Sequence, residues 1–213
     1  MFRSWSAAIL KVLGLRLDIS GVAPQAPFYL VSNHMGYLDV LVLASQLDAV
    51  FVAKAEVADW PVLGPLCKSM DTIFIDRSLR RDISRVLDET REALERGDGV
   101  VVFPEGTSTG GDEVRRFLPS LLATPANLQQ PVHFATLAYS TPKGEPPARR
   151  AVCWWDNMTF PDHFWRLMGL SRVDVRLVFG DRAIAHQDRK QLAAELWHGI
   201  LHDFEPMVGL TAK

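Results

Sequence analysis

Short apolar runs alternate with helical stripes along this chain, and the alternation is regular from residue 28 onward. Phe28-Tyr29-Leu30-Val31, Val50-Phe51-Val52-Ala53-Lys54, Thr72-Ile73-Phe74-Ile75 and Gly99-Val100-Val101-Val102-Phe103 read as buried strands. The apolar residues 40–44 follow the first run closely and predict a helix. The clearest helix lies between the third and fourth runs. Ile83, Val86, Leu87, Thr90, Ala93 and Leu94 line one face, Asp82, Glu89, Arg91 and Glu95 lie among them, and Gly97 closes it. Residues 60–66 are apolar but interrupted by Pro61 and Pro65, which predicts a short or kinked helix. Residues 131–139, 151–155 and 173–179 read as later strands. An aromatic segment with Phe160, Phe164, Trp165, Met168 and Leu170 separates the last two. The final helix spans about residues 188–205, with Leu192, Leu196, Ile200 and Phe204 four apart. Strands alternating with helices predict an α/β fold, a mixed and largely parallel sheet flanked by helices.

The first 17 residues stand apart. Phe2, Trp5, Ile9, Val12 and Leu13 fall at helical spacing, and the charges beside them, Arg3, Lys11 and Arg16, are all positive. Two readings stand: an amphipathic helix lying in a membrane interface, or a helix packed on the domain. The chain therefore divides into residues 1–17 and a single domain over 18–213. Its 213 residues are 48% hydrophobic and 23% charged, which is globular. The net charge of −2 gives no basic field for nucleic acid. No apolar run approaches the ~20 residues of a membrane span, and no secretory core is present. Cys67 and Cys153 lack metal or redox spacing and read as reduced thiols of a cytoplasmic protein.

Candidate chemistry gathers after two of the strands. Asn33-His34 and Asp39 flank a strand-to-helix turn, an arrangement that suits a base and its orienting carboxylate. In one regular helix, residues five apart point about 140° away from each other. His34 must therefore precede the helix or lie in an irregular first turn, and a plain polar loop is the alternative. Two further blocks follow in order, Phe74-Ile75-Asp76-Arg77 and Phe103-Pro104-Glu105-Gly106-Thr107. With these three blocks the chain resembles the glycerolipid acyltransferase family, of the 1-acylglycerol-3-phosphate (lysophosphatidate) type, over about residues 28–140. The resemblance implies an acyltransferase-like single domain. It implies transfer of a fatty acyl group from a thioester donor, acyl-CoA or acyl carrier protein, to the free hydroxyl of a lysophospholipid. His34 becomes the base, Asp39 its partner, and the hydroxyl attacks directly without an acyl-enzyme. Glu105, Gly106 and Thr107 match the acceptor-binding block, and Arg77 the phosphate-binding arginine. Arg80, Arg81 and Arg85 read as a solvated helix face. No metal and no cofactor beyond the donor are implied. Family members often carry a spanning segment near the start, so peripheral contact with the inner face of the cell membrane is the expectation here.

The departures bear on the acceptor. Ser108 and Leu118 occupy positions that are commonly basic in the family, with Arg115 and Arg116 nearby to compensate, and Phe134 stands where proline is common. Arg77 and the Glu105-Gly106-Thr107 block favour lysophosphatidate. The alternative is lyso-ornithine lipid or another lyso-aminolipid, and the stretch from Trp154 to Phe160 loosely resembles such bacterial relatives. Two readings of other classes remain. Gly106-Thr107-Ser108-Thr109-Gly110 fits the nucleophile elbow of a serine hydrolase using Ser108, although Pro104-Glu105 intervenes and Gly110-Gly111-Asp112 starts a helix poorly. A lipid-binding peripheral membrane protein without turnover is the other, and the intact His34, Asp39 and Glu105 argue against it. His198 and His202, four apart on the last helix, offer a metal pair but read as surface residues.

Overall fold

Tyr29–Ser32 and Gly99–Val102 are buried at every position, as strands covered on both faces must be, and the sheet is built outward from them. The computed structural model describes residues 2–61, 63–76 and 80–207. In chain order the elements are α1 (Phe2–Val12), β1 (Leu15–Ser20), β2 (Tyr29–Ser32), α2 (Tyr37–Gln46), β3 (Ala49–Lys54), α3 (Leu63–Ser69), β4 (Ile73–Ile75) and α4 (Arg80–Glu95). They continue with β5 (Gly99–Val102), α5 (Ala123–Asn127), β6 (Val132–Ser140), α6 (Ala148–Ala151), α7 (Phe160–Met168), β7 (Val173–Phe179) and α8 (Arg189–Asp203). Single 3₁₀ turns occupy Ala55–Asp59 and Pro119–Leu122.

The seven strands are ordered β1-β7-β6-β2-β5-β3-β4. Strands β2 to β6 run parallel to one another, β7 runs antiparallel to β6, and β1 runs parallel to β7. This is the mixed, largely parallel sheet that the sequence predicts. Tyr29 is in register with Val100 on one side and Val132 on the other, so β2, β5 and β6 begin level; β2 and β5 also end level, while β6 runs on to Ser140. Loops leaving that edge of an open parallel sheet converge on one crevice. Two apolar layers cover the faces. One holds Leu10 of α1, Leu38, Val42 and Leu43 of α2, and Leu167 of α7. The other holds Val86 and Ala93 of α4, Ala126 of α5, and Leu192, Leu196 and Ile200 of α8. Phe134 belongs to this second layer, and its ring fills the space that Gly180 and Gly199 leave open.

The chain departs from its sequence reading in two places. The N-terminal helix stops at Val12, not at residue 17. Gly14 turns the chain with φ 72°, and Leu15–Ser20 becomes the edge strand β1, with Leu15 opposite Val173. The alternation Leu15-Arg16-Leu17-Asp18-Ile19 carries that signal, but it continues an apolar helical stripe without a break in composition. Only part of that stripe packs: Ile9 and Leu13 are half-buried against the core. Ser6 and Leu10 are buried, whereas Phe2, Trp5 and Val12 are exposed. The expected strand at 151–155 is instead the end of α6 and a buried loop. Its backbone bonds locally and to the turn after β2: Val152 N–H donates to Ala148 O (2.8 Å) and Trp154 N–H to Met35 O (2.8 Å). A buried apolar run without alternation does not distinguish the two. No helix among the described residues is long and apolar enough to cross a membrane.

The orientation of α1 generates a test. Leu10, 2% exposed, is expected to cost about 2–5 kcal/mol when replaced by Ala. Val12→Ala, at a site 81% exposed, is expected to stay within about 0.5 kcal/mol. Urea unfolding of both variants reads the difference, and equal losses would mean that Val12 packs as Leu10 does.

Candidate active site

Strand β2 ends at Ser32, and the next residue locks the exit from the sheet. Asn33 Nδ2 donates to Leu137 O (2.9 Å) and Leu137 N–H donates to Asn33 Oδ1 (2.8 Å), so a side chain continues the β2–β6 pairing by one step. His34 then leaves the sheet, and Gly36 starts α2. Gly36 has φ 152°, and a Cβ there would approach Trp154 N to 3.0 Å, so the turn requires glycine. Asp39 lies in the first turn of α2 and reaches back over it. Its Oδ2 accepts from Met35 N–H (2.6 Å) and Gly36 N–H (2.9 Å), capping the helix, and from His34 Nδ1 (2.8 Å). Its Oδ1 accepts from the Tyr139 hydroxyl (2.7 Å). The carboxylate is fully buried, and these four donors replace the water it has lost. A carboxylate only accepts, so Nδ1 of His34 carries a proton and the Nε2 lone pair is left over. No described residue bonds Nε2. The imidazole stacks on Phe103 at 4.2 Å between ring centroids. His34 thus precedes the helix, which is how two residues five apart meet.

The Glu105 block approaches from β5. The resemblance assigns Glu105 to the acceptor; in the structure its carboxylate is bonded to two backbone N–H groups. Oε1 accepts from His34 N–H (2.7 Å) and Oε2 from Arg115 N–H (2.7 Å), both at a buried position. Glu105 therefore staples the His34 turn to the loop before α5. Burial raises this carboxyl to about 8, opposed by the two N–H donors and reinforced by the nearby Asp39 charge. Gly106 and Thr107 do line the cavity beside His34. Ser108 lines it too, but its hydroxyl donates to Trp154 O (2.6 Å), and the segment after it is irregular where a nucleophile elbow needs a helix. The two arginines expected to compensate for Ser108 and Leu118 turn elsewhere. The Arg116 guanidinium lies 3.7 Å over the Trp197 ring on α8, and the exposed Arg115 side chain lies 3.6 Å from Glu113. Arg77 lies outside the described residues. Arg85 pairs with Asp82 (2.8 Å) and Glu89 (2.6 Å) along α4.

An apolar cavity opens from His34 between α2, β3 and α3. Val40, Leu41, Phe51, Leu63, Leu66 and Met70 form its walls, with Trp60, Trp154 and Tyr37 beside them. Among the described residues Lys54 is the one lysine or arginine on its wall, and it pairs with Glu56 (3.5 Å), also on the wall. No three His, Cys, Asp or Glu among the described residues stand together as a metal site, and His198 and His202 are exposed on α8. The arrangement offers a proton acceptor held by a buried carboxylate at the edge of an apolar chamber, suited to activating a hydroxyl next to a long hydrocarbon. Sequence reading missed Tyr139, which lies 100 residues from Asp39. Its only sequence signal is its place on the inward face of β6, two residues after Leu137.

Comparison with known proteins places this arrangement. A family model described as Acyltransferase matches residues 16–140. The lyso-ornithine lipid O-acyltransferase of Rhodobacter capsulatus is 34% identical over 208 residues, covering 90% of this chain and 74% of that protein. The 1-acyl-sn-glycerol-3-phosphate acyltransferase of Neisseria meningitidis serogroup B is 28% identical over 173 residues, covering 80% and 67%. The crystal structure of the 1-acyl-sn-glycerophosphate acyltransferase PlsC from Thermotoga maritima aligns with a TM-score of 0.66 and 16% identity, over 94% of this chain and 77% of that one, a likeness of fold.

Glu105 generates a pH test. Its carboxyl is raised from 4.5 to about 8 in the folded protein. The fold thus keeps a proton that the unfolded chain has lost, and the resulting stabilisation is full below about pH 4.5 and lost as pH rises through about 8. Glu105→Gln does not titrate. The unfolding free energy of the wild type minus that of the variant is expected to fall across this range, whatever its constant offset. Urea unfolding at several pH values measures it, and a flat difference would mean that the carboxyl is ionised throughout.

Proposed function

Because this chain belongs to the acyltransferase family and is an O-acyltransferase of the lysophosphatidate and lyso-ornithine lipid type, we propose that it acylates the free hydroxyl of lyso-ornithine lipid. The donor is a thioester, acyl-CoA or acyl carrier protein. His34 Nε2 takes the proton of the acceptor hydroxyl as the oxygen attacks the thioester carbonyl. Asp39 holds the ring in the Nδ1–H tautomer and stabilises the imidazolium. The tetrahedral oxyanion collapses, the C–S bond breaks, and the leaving thiolate takes the proton back from His34. The products are the diacylated lipid and the free thiol. The apolar cavity beside His34 takes the acyl chain.

The observation that carries the acceptor choice is the absence of arginine from the described wall of this cavity. Arg116 is stacked on Trp197, Arg115 faces Glu113, and Ser108 is bonded to a carbonyl. Among the described residues of the wall a phosphate dianion meets one cation, Lys54. The wall offers one cation and one anion, Lys54 and Glu56. An ornithine headgroup carries one carboxylate and one amine, which match that pair. The name of the 34%-identical relative points the same way. Lysophosphatidate is the second reading, favoured by Arg77 in the Phe74-Ile75-Asp76-Arg77 block. Either acceptor resides in a bilayer, so the enzyme works at a membrane, from the cytoplasmic side and as a peripheral protein. The outward Phe2, Trp5 and Val12 beside Arg3 and Lys11 on α1 support that seat.

Lyso-ornithine lipid and lysophosphatidate competing at equal concentration test the choice. Preferential acylation of the ornithine lipid is expected, and exclusive acylation of lysophosphatidate overturns it. In the same assay His34→Ala is expected to lower turnover about 10²–10⁴-fold with unchanged circular dichroism; undiminished transfer would remove His34 as the base. Tyr139→Phe tests the support behind Asp39. Without the hydroxyl, more of the carboxylate charge faces the imidazole and stabilises its protonated form. The acidic limb of the kcat/KM–pH profile is expected to move up by a few tenths of a unit to about one unit. A purely structural Tyr139 lowers stability and leaves the limb in place.

A further inference from the structure

Helix α7 is a short amphipathic element with an outer face that the fold leaves uncovered. His163 and Leu167 are buried beneath it, while Trp165 is 72% and Met168 46% exposed. The two lie three apart and share a face. One exposed apolar residue is ordinary on a protein surface. What sets this pair apart is where it leads. Trp165 meets Phe164 at 5.8 Å between ring centroids, Phe164 stacks with Phe160 at 5.8 Å, and Phe160 meets Trp154 at 6.1 Å. Trp154 meets Trp60 at 4.8 Å, and both line the cavity that His34 shares. An unbroken file of rings therefore runs from the exposed face of α7 to the wall of the catalytic chamber.

We propose that the outer face of α7, centred on Trp165 and Met168, docks on the surface of a lipid bilayer, and that the aromatic file behind it leads the lysolipid from that surface into the chamber. The proposal rests on the acyl-transfer reading above. Charge selects a lipid surface. Arg166, on the same helix, and Lys11, at the end of α1, are exposed and have no ion pair among the described residues, while the one acid of α7, Asp162, sits in its first turn and is bonded to the N-cap Thr159. The ends of the two helices converge. Val173 N–H donates to Gly14 O (3.1 Å), which brings the exposed Val12 close to the chain leaving α7. Tryptophan suits such a boundary, with an apolar body for the acyl region and an N–H for the headgroups. A second copy of this chain seated on Trp165 would cover the start of the aromatic file.

The helix is also braced against the catalytic turn. His163 Nε2–H donates to Val152 O (3.1 Å), so Nδ1 is an acceptor, and the Tyr37 hydroxyl donates to it (3.0 Å). Tyr37 lies between His34 and Asp39 in sequence. Burial pushes the His163 imidazole below its ordinary value, which keeps it neutral and this geometry intact. A bilayer bearing on α7 thus holds the turn that carries His34.

The test compares two presentations of one lysolipid class with the full chain. Trp165→Ser/Met168→Ser removes the outer contacts and no residue of the chamber. Co-sedimentation with vesicles containing phosphatidylglycerol, and kcat/KM on a lysolipid embedded in them, are expected to fall about ten-fold or more. Turnover of a short-chain lysolipid that is monomeric in water is expected to stay unchanged. Equal behaviour of variant and wild type on vesicles overturns the docking. So does loss of activity on the monomeric lysolipid, and so does loss of a dimer with vesicle binding intact. Vesicle binding that depends on the two residues, in an enzyme inactive on both substrates, supports the docking and overturns the acyl-transfer reading.

Discussion

A carboxylate taken out of water must be given its hydrogen bonds back, and the Asp39 site is organised by that requirement. Its four donors come from three places: two N–H groups of its own helix cap, the imidazole just before that cap, and a tyrosine from β6. The cap is local and forms with α2. The tyrosine arrives only when β6 pairs with β2, and Asn33 fixes that pairing by bonding both polar groups of Leu137. Sheet register and imidazole orientation are therefore one constraint: if β6 shifted by one residue, Tyr139 would turn to the other face of the sheet.

A second acid stands behind the first, with the opposite logic. Glu105 receives only backbone donors, and burial and the Asp39 charge both push its carboxyl up. The site thus sets the two acids apart, one satisfied by charge-assisted bonds and one held toward its neutral form. Gly106 and Thr107 follow Glu105 at once, so the staple to His34 N–H also places this segment along the chamber. Holding the His34 turn against the Arg115 segment is what this acid contributes to the fold of the site.

The same loop that closes the chamber also orients its approach. Residues 152–154 are buried against the turn after β2 and carry Trp154 into the file of rings between α7 and the cavity. The helix layer holding α1, α2 and α7 is thus both core and approach route. Its inner residues seal the sheet, and its outer residues remain apolar without a described covering.

What the sequence alone determined is what rests on neighbours along the chain. The parallel strands, α4, α8 and the pairing of His34 with Asp39 were legible because strand burial, helical stripes and a helix cap are set within a few residues. The three blocks carried the family for the same reason. Tertiary structure decided the rest. Gly14 ended a helix whose apolar stripe ran on into β1, since the edge of β7 offered Leu15–Ser20 a ladder. Residues 151–155 lost their strand reading because their backbone groups found partners in Ala148 and Met35. Arg116 left the acceptor side because the Trp197 ring lay within reach, and Tyr139 became part of the site because the β2–β6 register delivered it. Each of these depends on a contact between residues far apart in sequence, whose distance is fixed only when the sheet closes.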